Sequence, residues 1–266
     1  AQARVTPELE LVESENTTNI HWMINPGQKY YFGKVSLSGN QKVSSSLILK
    51  QVQFEPGGVY NKKALDKTQQ RIQGLGLFNS VTVKAMVIDS TQNILPVSVH
   101  TIEAPQLTTR FGLGYGNEEK FRTFLNFQRL AFLGGARQGH LMFKYSSLEP
   151  YNINFIFTQP QFITYGTTLS INPFFRKEVE PSYTAQRLGL NVPVGHRFNR
   201  KLQASLTLFH EQVDQESISG DPVPAVTDEE SFYNKSGYIL GTIWDSSWPM
   251  FNPEKGMFIA YNYKIN

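Results

Sequence analysis

Arg187-Leu188-Gly189-Leu190-Asn191-Val192-Pro193-Val194 decides how this chain is read. Leucine or valine falls on every second residue, with arginine, glycine, asparagine and proline between. Side chains of period two belong to a β-strand, here with one apolar face and one polar or small face. The pattern recurs. Leu141, Phe143 and Tyr145 alternate with His140, Met142 and Lys144; Ile153, Phe155 and Phe157 alternate with Asn152, Asn154 and Thr158. Leu202, Ala204, Leu206 and Leu208 alternate with Gln203, Ser205 and Thr207. A ladder of such strands from 107 to 263 is the pattern of a transmembrane β-barrel wall, with lipid on one side and water on the other.

Composition agrees with that reading and removes others. Only 18% of the 266 residues are charged, while 13% are aromatic. Mean hydropathy is −0.33, and no run of about 18 apolar residues occurs, which excludes a membrane-spanning helix. Strands that expose alternate residues are not excluded, because they pass unnoticed in a hydropathy window. A net charge of +3 is too small for a nucleic-acid partner. Without cysteine there is no disulfide or thiol chemistry. The chain opens Ala-Gln-Ala with no basic and apolar leader, so it is expected to be processed or an internal fragment.

Texture changes near Ala104-Pro105. Ahead of it, 5–13 and 17–25 read as a hairpin turning at Glu15-Asn16-Thr17. A strand follows over 30–38, then a short helix over 44–51 opened by Ser44. Pro56-Gly57-Gly58 breaks the chain. Asn61 caps a second helix whose Leu65, Thr68, Gln69 and Ile72 share a face, and Gly74 and Gly76 end it. Strands over 78–88 and 94–103 close the unit around Asp89-Ser90. Beyond the boundary, strands are expected near 107–116, 120–129, 137–146, 150–159, 166–176, 183–194, 200–213, 234–245 and 256–265. Compact turns follow the even-numbered strands, and the long loop over 214–233 follows an odd one. That puts the turns in the periplasm and the long loop outside.

Residues 30–103 resemble a POTRA domain, the periplasmic module of outer-membrane assembly and secretion factors. The resemblance rests on Phe32-x-x-Val35-x-Leu37-x-Gly39-Asn40-x-x-Val43, then Gly57-Gly58-x-Tyr60, Leu65, Gln70, Leu75 and Phe78-x-x-Val81-x-Val83. Gly39-Asn40 permits the turn out of the first strand, Tyr60 and Leu65 would staple the second helix, and Gly76 lets the chain reverse. Residues 1–28 resemble the last hairpin of a preceding POTRA domain, which leaves 29–104 as the POTRA domain and 105–266 as barrel. The second region is similar to the BamA-type barrel in Arg110-Phe111-Gly112-Leu113-Gly114-Tyr115-Gly116, in Asn126 to Gly135, in Thr158-Gln159-Pro160-Gln161-Phe162 (Gln standing where the family has Asn), and in Asp245 with Pro249, Phe251, Pro253 and Gly256. The fold class implied is an α+β POTRA domain followed by an antiparallel transmembrane barrel. The family's barrel has sixteen strands against about nine here, and its Arg-Gly loop motif is absent, so the natural protein is expected to continue past Asn266.

No enzyme chemistry is expected. His21, His100, His140, His196 and His210 are scattered without metal-ligand spacing; His140 is expected to face the lumen and the others the surface. Gly112-x-Gly114-x-Gly116 lacks the dinucleotide spacing, there is no Gly-x-Ser-x-Gly elbow, and Glu118-Glu119 and Glu229-Glu230 read as solvated loop charges. No cofactor or metal is expected. The first-strand glycines carry two readings: they ease curvature or clear space for a neighbour, or they leave a weakly paired seam that opens sideways. In the second, Phe111, Gly112, Gly114, Tyr115 and Gly116 form a lateral gate where a client strand adds by β-augmentation. The strand with Val81, Val83 and Lys84 is a candidate edge for client or accessory docking; otherwise it is an ordinary edge guarded by Lys84 and Asp89. The resemblance implies an outer-membrane assembly factor of BamA or TamA type. Its implied partners are unfolded β-barrel precursors, accessory lipoproteins or periplasmic subunits, and outer-membrane lipid. A two-partner secretion transporter exporting a polypeptide is the rival; a passive porin fits poorly with a POTRA domain.

Overall fold

The computed structural model of the chain describes residues 4–12, 17–86, 93–217, 231–249 and 252–266. The turns expected at Glu15-Asn16 and Asp89-Ser90, and most of the 214–233 loop, lie outside them. The chain divides into two compact units: 1–73 with 78–103, and 74–77 with 104–266.

In the first unit, β1 (Arg4–Val12) and β2 (Thr17–Asn25) form a hairpin. Its register stacks Val5 on Ile24, Pro7 on Trp22 and Leu9 on Ile20, all on one face. Then come β3 (Tyr31–Ser38), α1 (Ser45–Leu49), α2 (Lys62–Gln73), β4 (Phe78–Ala85) and β5 (Ile94–Glu103). The sheet order is β3-β5-β4, with β3 parallel and β4 antiparallel to β5. The Ser44 hydroxyl accepts from the Leu47 N–H at 3.3 Å and starts α1. Asn61 Oδ1 accepts from the Lys63 N–H at 2.8 Å and starts α2. Leu65, Thr68 and Ile72 bury one face of α2, while Gln69 stays exposed at its margin. The buried Thr68 hydroxyl is satisfied: it donates to the Ala64 carbonyl at 2.8 Å and accepts from the Gln53 N–H at 3.0 Å. Ile48, Ile72, Val97 and Val99 are fully buried, each contributing about 1.5–3 kcal/mol. Tyr60 has its ring 5.4 Å from Phe32, which itself stacks on Phe54 at 4.0 Å. It thereby ties the approach to α2 onto β3.

The turn after β3 is held by the end of the neighbouring strand β5. The Glu103 carboxylate accepts from three successive amides, Gln41 at 2.8 Å, Lys42 at 2.9 Å and Val43 at 2.8 Å. Partial burial pushes this carboxyl up, but the three amides and the nearby Lys42 charge outweigh it and hold its pKa below the usual glutamate range. The stabilisation is therefore complete above about pH 4.3, where glutamate ionises in an unfolded chain, and is lost as pH falls through the lowered folded value. Glu103→Gln should cost about 1–2 kcal/mol at neutral pH and flatten that acid limb. Hydrogen exchange of the Gln41–Val43 amides against pH measures both.

The second unit is a nine-stranded antiparallel sheet in which every strand pairs with its chain neighbours. Its strands are β6 (Leu107–Gly116), β7 (Lys120–Leu130), β8 (Gln138–Tyr145), β9 (Tyr151–Pro160), β10 (Thr167–Val179), β11 (Tyr183–Arg197), β12 (Leu202–Ser217), β13 (Phe232–Asp245) and β14 (Phe258–Ile265). The sheet is open, with β6 and β14 at its edges. That architecture is consistent with part of a barrel wall. The register puts Leu141 on Phe155, Leu190 on His210, Leu206 on Leu240 and Leu240 on Tyr263, so the apolar rows share one face. His140 lies between Gln128 and Ile156 on the other face.

The strands run longer than their apolar rows. β10 continues to Val179, and β12 to Ser217. Beyond Leu208 the outer row of β12 turns to His210, Gln212 and Asp214, yet pairing to β11 continues through Tyr183↔Ser217. A reading built on alternate apolar residues stops where the apolar row stops; the main-chain ladder does not. Among the described residues no helix is long and apolar enough to cross a membrane, which says nothing about strands.

Candidate functional site

The site begins with β6, which is paired to β7 on one side only. Phe111, Leu113 and Tyr115 point to the apolar face and are 74%, 69% and 75% exposed. Gly112, Gly114 and Gly116 point to the other face, directly opposite Phe124, Arg122 and Lys120 of β7. A Cβ on Gly112 would run into the Phe124 ring, and one on Gly114 would come within 2.8 Å of Arg122 Nε. On Gly116 it would meet nothing within 4 Å. Two of the three glycines therefore clear space for side chains of the strand they already pair with.

The Phe124–Gly112 contact is one of three. Phe174 lies over Gly189, and Phe209 over Gly237, where the Ile265 carbonyl of β14 stands closer still, each pair in direct cross-strand register on the polar face. A ring that would otherwise stand in water covers the bare main chain of its partner, recovering packing that glycine lacks. Sequence alone left these phenylalanines unexplained; their signal was an aromatic in the polar phase of a strand. Gly112→Val should displace the ring and loosen β6 from β7. Phe124→Ala in the same chain should recover part of that loss, a coupling of about 0.5–1.5 kcal/mol in a double-mutant cycle of unfolding.

Gly112, Gly114, Arg122, Phe124, Met142 and Lys144 line a groove of about 480 Å³ beside β6. Its charges are paired: Arg122 with Glu119 at 2.8 Å, and Lys144 with Glu149 at 2.6 Å. Further along the polar face, Arg187 contacts Glu178 at 3.0 Å and Glu211 at 3.1 Å, and Arg176 contacts Glu178 at 3.2 Å. This half-buried network spans β10, β11 and β12 and offers balanced charge rather than an acid–base pair. Among the described residues no cluster of three His, Asp or Glu is placed to hold a metal.

The POTRA edge residues sit differently from one another. Val81 and Val83 bury their side chains in the core, at 5% and 8% exposure, while Lys84 is exposed. The Val83 N–H donates to Gln69 Oε1 of α2 at 3.4 Å, so the helix screens part of that edge. What β4 can offer a partner is main chain, with Lys84 beside it.

Comparison with known proteins fits this geometry. Residues 30–103 match the POTRA family, described as a surface antigen variable number repeat, and residues 131–266 match the Omp85 superfamily domain. Among solved structures, the chain is similar to BamA from Haemophilus ducreyi lacking POTRA domains 1-3, at 17% identity and a TM-score of 0.65, over 99% of this chain and 53% of that one. It is also similar to CdiB from Acinetobacter baumannii (13% identity, TM-score 0.58, 99% and 50% covered) and CdiB from Escherichia coli (14%, 0.58, 96% and 51%). At these identities the likeness is one of fold, and the chain spans about half the length of each structure. Omp85 proteins are outer-membrane proteins with periplasmic POTRA domains, and they assemble or transport other proteins. With a POTRA unit leading into an open antiparallel wall, and with the Omp85 superfamily domain matched over half of this chain, the chain belongs to the Omp85 superfamily.

Proposed function

We propose that this chain belongs to a factor that folds β-barrel precursors into the outer membrane, and that β6 is the strand on which the incoming client pairs. The observation that carries this is how the glycine row of β6 packs against β7. Gly112 and Gly114 lie under Phe124 and Arg122 of β7, so they do not weaken that pairing, and with Gly116 they leave one face of the β6 main chain bare of its own side chains. An added strand gains main-chain hydrogen bonds whatever its side chains, which suits a factor with many clients. Phe111, Leu113 and Tyr115 would keep the lipid side of that new pair dry, and Gly116 leaves room beside the edge.

In this reading the POTRA unit lies in the periplasm and its β4 main chain receives precursors or accessory subunits. No nucleotide is consumed; client folding and burial of apolar surface in lipid drive the reaction. A second reading, export of a polypeptide through the wall's interior, draws on the polar inner face and its Arg176–Glu178–Arg187–Glu211 network. Depletion in the native cell separates the two. General loss of outer-membrane barrels is expected; loss of a single exported protein with normal barrels would favour export.

A further inference from the structure

Hairpin turns usually place glycine, asparagine or aspartate where φ is positive, because other residues are strained there. Two turns of this wall follow that rule only in part, since beside Gly134, Gly135 and Gly166 they hold bulkier residues at positive φ. In the β7–β8 turn Ala131 and Leu133 have φ of 53° and 55°, and in the β9–β10 turn Gln161 and Ile163 have φ of 53° and 64°. The two turns share one construction: the Phe132 N–H donates to the Arg137 carbonyl at 2.9 Å, and the Phe162 N–H to the Thr167 carbonyl at 2.9 Å. The strained leucine and isoleucine gain no burial in return, being 74% and 85% exposed. The next two turns at the same end also carry large exposed apolar residues, Phe198 at 59% and Trp248 at 60%.

Two of these turns curl onto the apolar face. Phe132 sits 6.2 and 6.3 Å from Phe155 and Phe157 of the outer row, and Phe198 sits 4.6 Å from the outer-row His196. Phe198 thus continues the edge of the apolar wall, and Phe132 holds the turn that carries Leu133 against it. Charge separates along the same axis. The four turns contain Arg137, Arg200, Lys201 and Lys255 against the single acid Glu254. At the opposite end, residues 117–119, 146–150 and 180–182 contain Glu118, Glu119, Glu149 and Glu180, with no lysine or arginine. Arg137 also donates to the Leu133 carbonyl at 3.1 Å, holding a basic group beside an exposed apolar one.

We infer that the turn end of the wall is a binding rim for anionic phospholipid. Leu133, Ile163, Phe198 and Trp248 enter the boundary between headgroups and acyl chains, and Arg137, Arg200 and Lys201 take headgroup phosphates. Apolar contact plus basic charge is what an anionic interface selects. The inference rests on the outer face being lipid-facing and not on the identity of the clients.

The chain has no cysteine, so single substitutions label cleanly. Ile163→Cys, Leu133→Cys, Leu206→Cys in mid-wall and Glu180→Cys at the acidic end carry a polarity-sensitive fluorophore. The protein is reconstituted in vesicles of phosphatidylcholine, alone or mixed with phosphatidylglycerol, with nitroxide quenchers at shallow or deep positions. Labels on Ile163→Cys and Leu133→Cys should shift to the blue and be quenched by the shallow probe, more strongly with phosphatidylglycerol. The label on Leu206→Cys should respond to the deep probe and that on Glu180→Cys to neither. Water-like turn labels beside a quenched Leu206→Cys overturn the rim while leaving the lipid-facing wall intact. An unquenched Leu206→Cys overturns both. Equal quenching in the two lipids overturns the anionic preference. In the unlabelled protein, Arg200→Gln with Lys201→Gln should lower co-purifying phosphatidylglycerol severalfold; unchanged retention overturns the phosphate contacts.

Discussion

Tethering β6 by a disulfide to the strand that lies beside it, on the side away from β7, in the assembled barrel should slow client insertion about tenfold or more, a barrier increase of at least roughly 1.4 kcal/mol. Gly116→Cys is the better anchor. An added Cβ there meets nothing within 4 Å, whereas at Gly112 or Gly114 it would displace Phe124 or Arg122 and confound the result. The rate at which a client barrel becomes protease-resistant in vesicles is the measurement, and reduction of the disulfide should restore it. If the oxidised protein inserts clients at the reduced rate, β6 is not the docking strand. The effect is expected to be large because an edge strand offers the client its main-chain groups, and a closed seam removes all of them together.

Gly39→Ala should be the most damaging small substitution in the POTRA unit, at about 2–4 kcal/mol. Gly39 has φ of +84°, and a Cβ there would run into the Thr101 carbonyl oxygen on the neighbouring strand. Backbone strain and steric conflict add at one atom. Gly57 separates the two causes. Its φ is +86°, but a Cβ would meet nothing within 4 Å, so Gly57→Ala should cost only about 1 kcal/mol. Exchange of the Val97 and Val99 amides, deep in the sheet, reads global opening of the unit for both variants. Equal costs would mean that the Thr101 contact relaxes freely.

What the sequence told and what it withheld follow from physics. Strand positions in the wall were legible because one face must be apolar and the other need not be; β6 spans the expected 107–116. The ends of β10 and β12 were not, because past the apolar row the ladder continues without an apolar requirement. The capping roles of Ser44 and Asn61 were readable from local chemistry. The anchoring of Gln41, Lys42 and Val43 by Glu103 was not, since its partners lie some sixty residues apart and a carboxylate at a strand end carries no distinguishing signal. At β6 the glycine row was visible, but what fills the space above it belongs to β7. Only register could join Gly112 to Phe124.

That joint has a consequence for how such walls change over generations. Enlarging the glycine strands the ring, and removing the ring bares the main chain, so neither residue of Phe124–Gly112, Phe174–Gly189 or Phe209–Gly237 is free to drift alone. Across relatives the two members of each couple should be inherited or replaced together. An engineer transplanting one of these strands into a foreign barrel has to bring its neighbour's matching residue along.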